Sequence, residues 1–250
     1  MKVLALNSTK GGVGKTASAV NIAYLATLDK LKVLLWDMDV QSSATFYFRI
    51  ESKIKGRPED IFKEGKFIYK NVKSSNYDNL DIIPSDFSYK DIDIIISETK
   101  KVKKKFISIF ENLEDKYDLI VFDCPATYNL ISEYILKVSD LVLVPIIPTT
   151  LSIRAYEILM EHINETIKND IKIHAFFTMV DYRKKMHRRI IEEFPKTNKF
   201  CLDSSIPYSS TIEKMGDYRA PVATFACGNK ADKAFKNLWS EIKVLLNISK

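Results

Sequence analysis

Ten residues near the amino end hold the densest chemistry in the chain: S-T-K-G-G-V-G-K-T-A, Ser8 to Ala17, directly after the apolar run V-L-A-L. Gly11, Gly12 and Gly14 are three of only seven glycines in 250 residues, so their crowding within four positions needs a reason. Glycines let a backbone wrap closely around a phosphate with its N–H groups turned inward. A helix starting just after such a loop adds the positive end of its dipole. The stretch Lys10–Ala17, Val13 and Ala17 included, is therefore expected to cradle the phosphates of a nucleotide. Within it, Lys15 would neutralise the β- and γ-phosphates and the Thr16 hydroxyl would ligate Mg²⁺. The ordinary pattern G-x-x-x-x-G-K-[ST] asks for glycine five positions before Gly14. Thr9 stands there instead, followed by a second lysine, Lys10.

A phosphate loop needs a further acid to hold Mg²⁺ through water. D-L-I-V-F-D, 118–123, supplies an apolar run ending in Asp123. Strand-then-acid is common by itself; its weight comes from the loop that precedes it. Asp37 and Asp39 stand in D-M-D-V-Q-S-S-A-T at the tip of another apolar run. Two like charges so close are costly unless a cation sits nearby. Mg²⁺ and an attacking water answer that need, and a solvated turn with two acids is the plainer alternative.

These groups must be held by strands. Apolar, β-rich runs occupy 2–6, 32–36, 80–84, 118–122, 141–146 and 173–180, with a last short one at 201–206. Several are continuous Val/Ile/Leu/Phe runs, as expected for strands covered on both faces. Helical stretches lie between them at 15–28, 88–114, 127–138, 151–168, 184–194 and 230–247. The alternation predicts an α/β fold, a doubly wound, mostly parallel sheet flanked by helices, in one nucleotide-binding domain over 1–250. In such sheets ligands bind beyond the carboxyl ends of the strands, where Lys10–Thr16, Asp37–Gln41 and Asp123–Pro125 all fall.

Composition narrows the setting. The net charge of +6 is compatible with a polyanionic partner but decides nothing alone. Cys124, Cys201 and Cys227 show no paired spacing, so neither a disulfide framework nor a zinc site is expected. The opening M-K-V-L-A-L is too short for a signal peptide, and no stretch reaches the roughly 18 apolar residues of a membrane span. A soluble, cytoplasmic protein is the expectation.

Four motifs in order, K-G-G-V-G-K-T, D-M-D-V-Q-S-S-A-T, L-I-V-F-D-C-P-A and I-P-Y-S-S-T-I-E-K-M-G, resemble the ParA/Soj partition ATPases. These belong to the deviant-Walker-A group, with the MinD proteins and nitrogenase iron protein. The resemblance runs from residue 1 to about 246 and makes the nucleotide ATP. It implies that Lys10 reaches across a nucleotide-sandwich homodimer to the phosphates of the other subunit. A cation supplied in trans stabilises charge on the transferring phosphoryl group, as an arginine finger does. It further implies that Asp39 orients the hydrolytic water, that Asp37 and Asp123 hold Mg²⁺ through its waters, and that Pro207 and Ser209 line the adenine pocket. Partners implied are non-specific DNA, hence a nucleoid-associated protein, and a ParB-like or cargo-adaptor protein that stimulates hydrolysis. The family commonly shows D-x-D-P-Q-G-N-A-T, where Val40, Ser42 and Ser43 stand here, and often Arg-Asn after I-P, where Tyr208 and Ser209 stand. P-T-T-L-S-I-R, 148–154, resembles a branch some of whose members position cargo other than plasmids or chromosomes.

Two basic clusters could replace the arginine after I-P. Arg183, Lys184, Lys185, Arg188 and Arg189 follow a strand end and open a helix, in the region where ParA proteins keep DNA-contacting residues. Non-specific phosphate binding is the favoured reading there. T-K-K-V-K-K-K, 99–105, shares an amphipathic stretch with Phe106, Ile109 and Phe110 and reads as a solvated face. Near the end, Phe235, Leu238, Trp239, Ile242, Leu245 and Leu246 form one apolar stripe at helical spacing. It reads as a core helix, against the alternative of a MinD-like membrane-associated positioning ATPase. Cys124 reads as a small packing residue, and an ATP-dependent amide ligase on the same scaffold lacks an identifiable substrate pocket.

Overall fold

The computed structural model describes residues 1–62, 66–111, 113–167 and 171–248. Eight strands form one sheet: β1 Lys2–Leu6, β2 Val33–Asp37, β3 Lys73–Ser74, β4 Leu80–Ile83, β5 Leu119–Asp123, β6 Leu141–Ile146, β7 Lys172–Val180 and β8 Cys201–Pro207. Their order is β3-β4-β2-β5-β1-β6-β7-β8, with every pair parallel except β3–β4. The expected doubly wound sheet is therefore present. Its one unforeseen strand, β3, is two residues long, too short to show any period of two in a sequence.

Alternation along the central strands feeds two separate cores. Val3 and Ala5 of β1 and Ile120 and Phe122 of β5 enter one core; Leu4, Leu6, Leu119 and Val121 enter the other. Because both faces are covered, β2, β5 and β6 are buried at every position, which explains their unbroken apolar sequences. Pro145 in β6 would ordinarily break an interior ladder. The β1–β6 pairing ends at Leu143, so it interrupts no pair with β1.

Helix Lys15–Leu28 lies on one face beside the helix Lys230–Leu245. The latter starts at Asn229, whose side chain accepts from the Asp232 amide at 2.8 Å. Its stripe, Phe235, Leu238, Trp239 and Ile242, is turned into the core, each residue contributing about 1.5–3 kcal/mol of burial. Asp29 fixes the angle, accepting from Trp239 Nε1 at 2.9 Å and pairing with Lys243 at 2.7 Å. The apolar stripe at 230–247 is thus a core contact. No helix among the described residues is long and apolar enough to cross a membrane.

The expected helix 88–114 is divided. It becomes a 3₁₀ turn Phe87–Asp91 and helices Ile92–Glu98 and Val102–Glu111. Thr99 leaves the helix with ψ 120 and bonds back to the Ile95 carbonyl at 2.6 Å, and Lys101 turns left-handed at φ 58. A hydroxyl that satisfies the last turn locally competes with continuation of the helix. Residue 112 of that stretch and residue 168 of the expected helix 151–168 lie outside the described residues. The other expected helices stand at Leu130–Val138, Thr150–Thr166 and Lys185–Thr197.

Candidate functional site

Strand β1 ends at Leu6, between β5 and β6, and the chain turns there into the glycine loop. Gly12 and Gly14 sit at φ 70 and φ 84, in the left-handed region where a side chain is strained. The loop is anchored from β7: the Thr178 hydroxyl donates to the Val13 carbonyl at 2.8 Å, and Val13 is buried. Helix Lys15–Leu28 begins at Gly14 with no side chain capping its first turn, so its leading N–H groups point at the loop. Lys15 is buried, whereas Lys10 is half-buried.

Register places the acids. In the β2–β5 pairing Asp37 is opposite Asp123, and in the β1–β5 pairing Leu6 is opposite Asp123. Residues at the same register on neighbouring parallel strands have their backbones about 5 Å apart, and both acids are fully buried. Asp37 is held by three donors: Thr45 N at 2.9 Å and Thr45 Oγ1 at 2.7 Å to Oδ2, and Asp39 N at 3.1 Å to Oδ1. Burial still pushes its carboxyl up to about 6, those hydrogen bonds opposing the shift and the Asp39 charge adding to it. Asp123 is raised well above the usual carboxylate range by burial and by the neighbouring Asp37 charge. Both Asp123 oxygens lack a well-formed hydrogen bond; the nearby Thr16 hydroxyl and Lys15 ammonium favour its charged form only in part. Lys15 is lowered by desolvation, with Asp123 the leading opposing charge.

Orphaned carboxylate oxygens beside a hydroxyl, at the mouth of a phosphate-sized loop, suit a hard cation with oxygen ligands. No group of three or more His, Cys, Asp or Glu gathers as a metal cage among the described residues. Mg²⁺ is a cation of this kind that keeps its waters and takes substrate phosphates as ligands rather than an all-protein cage.

A cleft of about 480 Å³ runs along Gly11–Ala17 and is closed by Asp39, Gln41 and Tyr47 on one side and by Met179, Ile212 and Glu213 on the other. A smaller apolar pocket of about 70 Å³ adjoins it, lined by Gly14, Ala17, Ile206, Pro207, Ser209 and Phe235 among others. Pro207 ends β8, and Ser209 caps the short helix Ser210–Glu213 by accepting from Thr211 N at 3.2 Å. The fold thus brings the glycine loop, Asp37, Asp39, Asp123, Pro207 and Ser209 to one edge of the sheet.

The five basic residues 183–189 lie beyond β7 on that same edge, all exposed. Arg183 is engaged by Asp181 through Nε–Oδ1 and Nη2–Oδ2 contacts, each 2.9 Å, which holds the Asp181 carboxyl at about 2. Lys184, Lys185, Arg188 and Arg189 crowd the start of helix Lys185–Thr197, the positive end of its dipole. Cys124 is buried and its thiol is pushed up to about 12 by burial.

Two features were not singled out from sequence. Thr45 carries Asp37 from within the quoted D-M-D-V-Q-S-S-A-T, so the signal was there without a role. Asn7 is fully buried at the foot of the loop, where its amide makes no well-formed hydrogen bond but lies against the Cys124 thiol. Only its place between β1 and the loop could have marked it.

Comparison with known proteins adds four findings. Residues 1–175 match the family model described as AAA domain. The chain is 26% identical to the sporulation initiation inhibitor protein Soj of Bacillus subtilis, over 96% of this chain and 98% of that one. A plasmid partition protein from Borrelia burgdorferi bound to AMPPNP shares the fold, with TM-score 0.83, 24% identity and coverage of 97% and 98%. Cobyrinic acid a,c-diamide synthase from Mycobacterium smegmatis, with an ATP analogue and magnesium, also shares it, with TM-score 0.79, 19% identity and coverage of 97% and 94%. Both structural likenesses are likenesses of fold.

Proposed function

This chain belongs to the ParA/Soj family of partition ATPases, and from that premise we propose that it is an ATP-driven positioning switch acting as one domain. The observation that carries the reading is the Asp37–Asp123 register beneath the left-handed glycine loop. Lys15 neutralises the β- and γ-phosphates of its own nucleotide, and the free N–H groups of the loop and helix start orient them. Thr16 would ligate Mg²⁺ and the two acids would hold it through its waters, where the ion would screen the phosphate charge and the Asp37–Asp123 repulsion. Asp39, at the half-exposed edge of the cleft, orients the hydrolytic water. Lys10 serves the nucleotide of a second subunit, so that two copies close face to face over two ATP molecules.

The closed homodimer doubles the exposed basic surface of 184–189, and non-specific affinity for DNA rises with the number of phosphates contacted. Crowding cations at a helix N-terminus works against stability, which supports a polyanion as their purpose. Arg183, already engaged by Asp181, contributes least. A ParB-like protein or cargo adaptor stimulates hydrolysis and releases the dimer from the nucleoid. The cargo is a plasmid, a chromosome or another body.

The test is the state of the Asp39→Ala variant with Mg·ATP, by light scattering and by retardation of random-sequence DNA at low salt. A stable dimer that binds DNA is expected. Lys15→Ala should lose ATP binding itself, while Lys10→Ala should bind ATP as a monomer. Failure of Asp39→Ala to dimerise or to retard DNA refutes the reading.

A further inference from the structure

The acid-bearing loop is fastened to the rest of the molecule by two arginines in a reciprocal arrangement. The short helix Ser43–Tyr47 ends at Phe48 and is followed by Arg49; the short helix Met215–Tyr218 is followed by Arg219. Each arginine reaches over to the carbonyl end of the other helix. Arg49 Nη2 donates to the Tyr218 carbonyl at 2.8 Å, and Arg219 Nε donates to the Phe46 carbonyl at 3.0 Å. The Arg219 guanidinium also lies over the Phe46 ring, 4.4 Å from its centroid, and Tyr218 stacks on Phe225 at 4.3 Å.

Both arginines occupy left-handed backbone, at φ 60 and φ 47. That position after a helix is ordinarily glycine's, and a side chain there costs on the order of 1–2 kcal/mol. Lys30 and Asn247 are left-handed after other helices as well, so what sets the two arginines apart is their reciprocal bonding.

The two helices belong to different parts of the site. Phe46 adjoins Thr45, which holds Asp37, and the loop between carries Asp39. Met215–Tyr218 continues directly from Pro207–Glu213, which lines the apolar pocket. It is also seated on the phosphate-loop helix. Asn21 Nδ2 donates to Met215 Sδ at 3.3 Å, and Asn21 Oδ1 accepts from Val222 N at 2.8 Å, so one buried amide holds both ends of the segment. Base-lining segment and phosphate helix are thus tied together, and the arginines bond the acid loop to both.

We propose that Arg49 and Arg219 are positioning residues that align the Asp39 loop with the base-lining segment, so that a filled base pocket sets the rate of hydrolysis. The proposal rests on the nucleotide-site reading above. It makes hydrolysis sensitive to the base without any contact between base and Asp39.

Glycine substitution tests it cleanly, because glycine adopts φ near +50 to +60 freely, leaving Arg49→Gly and Arg219→Gly folded. Backbone amide exchange is measured for Ser42–Arg49 and Pro207–Glu213 with Mg·ADP and with Mg·pyrophosphate, which lacks a base. In the unaltered protein ADP should protect the 42–49 amides more than pyrophosphate does. In either variant the two ligands should protect that loop equally, while ADP still protects 207–213. ATP turnover should fall on the order of tenfold or more in kcat, with KM little changed. The double variant should be no slower than either single one, because the two side chains form one coupling. Variants with unaltered loop protection and kcat overturn the proposal. ADP that protects 207–213 but not the loop in the unaltered protein refutes the coupling alone. Protection of neither segment refutes the nucleotide-site reading and the coupling with it.

Discussion

Replacing Asp123 by asparagine should make the nucleotide-free protein more stable, although the proposed function calls for the group it removes. Asp123 is fully buried, neither oxygen has a well-formed hydrogen bond, and burial and Asp37 raise its carboxyl well above the ordinary 3.8. In the unfolded chain at pH 7 the group is ionised. Folding must either bury that charge or protonate it, and the cheaper route sets the cost. Protonation at pH 7 of a carboxyl with an ordinary value of 3.8 costs about 4 kcal/mol, at about 1.4 kcal/mol per pH step. This is the most that Asp123→Asn can return. The sign follows from linkage: a raised carboxyl destabilises the folded state above its unfolded value, and the penalty disappears as pH falls towards it. At pH 5 the same variant should therefore return at most about 1.6 kcal/mol. Urea unfolding in EDTA at the two pH values measures both differences. With Mg·ADP the order should reverse, because the unaltered protein gains binding energy that Asp123→Asn cannot. A variant less stable than the unaltered protein in EDTA at pH 7, or a gain independent of pH, would refute the reasoning.

Three further outcomes are expected. Thr45→Val removes the hydroxyl that donates to Asp37 at 2.7 Å, so the carboxyl should rise above its present value of about 6; the pH below which Mg·ADP affinity declines should move upward, as calorimetric titrations would show. Ser42 sits left-handed at φ 53 and donates to the Ser85 carbonyl at 2.9 Å; Ser42→Gly relieves the backbone as it loses the bond, so Ser42→Ala should be less stable than Ser42→Gly by about 1 kcal/mol in urea unfolding. Glutamine at Lys184, Lys185, Arg188 and Arg189 should leave the melting temperature unchanged or higher, yet weaken DNA binding and flatten its salt slope by about 0.9 per lost phosphate contact.

The strands were legible because continuous apolar runs such as L-I-V-F-D and L-V-L-V-P-I match the burial of both faces of a parallel sheet. The glycine loop was legible because its geometry is local: the left-handed turns at Gly12 and Gly14 need those residues wherever the loop is placed. The helix break near Thr99 was not, since a hydroxyl bonding to its own last turn leaves the apolar spacing of 88–114 intact. Asp37 and Asp123 could be named singly, but their opposition is a register, set by pairing across 86 residues of sequence that no string displays.

The acid loop takes this one step further. Ser42 keeps a glycine-like backbone and bonds to the Ser85 carbonyl; the Ser85 amide donates to Thr45 Oγ1 at 3.2 Å, and Thr45 in turn holds Asp37. On its outer side the same loop is fastened to Tyr218 and Arg219. A serine with a hydroxyl to anchor it can occupy the left-handed position, provided that a carbonyl waits at the end of β4. The family's glycine at Ser42 supplies freedom where this chain supplies an anchor. Local bonds from Asp37, Gln41 and Ser42 shape the turn around Asp39, and two segments remote in sequence anchor the loop that carries it. On the proposed function, the letters between Asp39 and Thr45 therefore do not by themselves fix the speed of hydrolysis, because their loop is also held by Ser85 on one side and by Arg219 on the other.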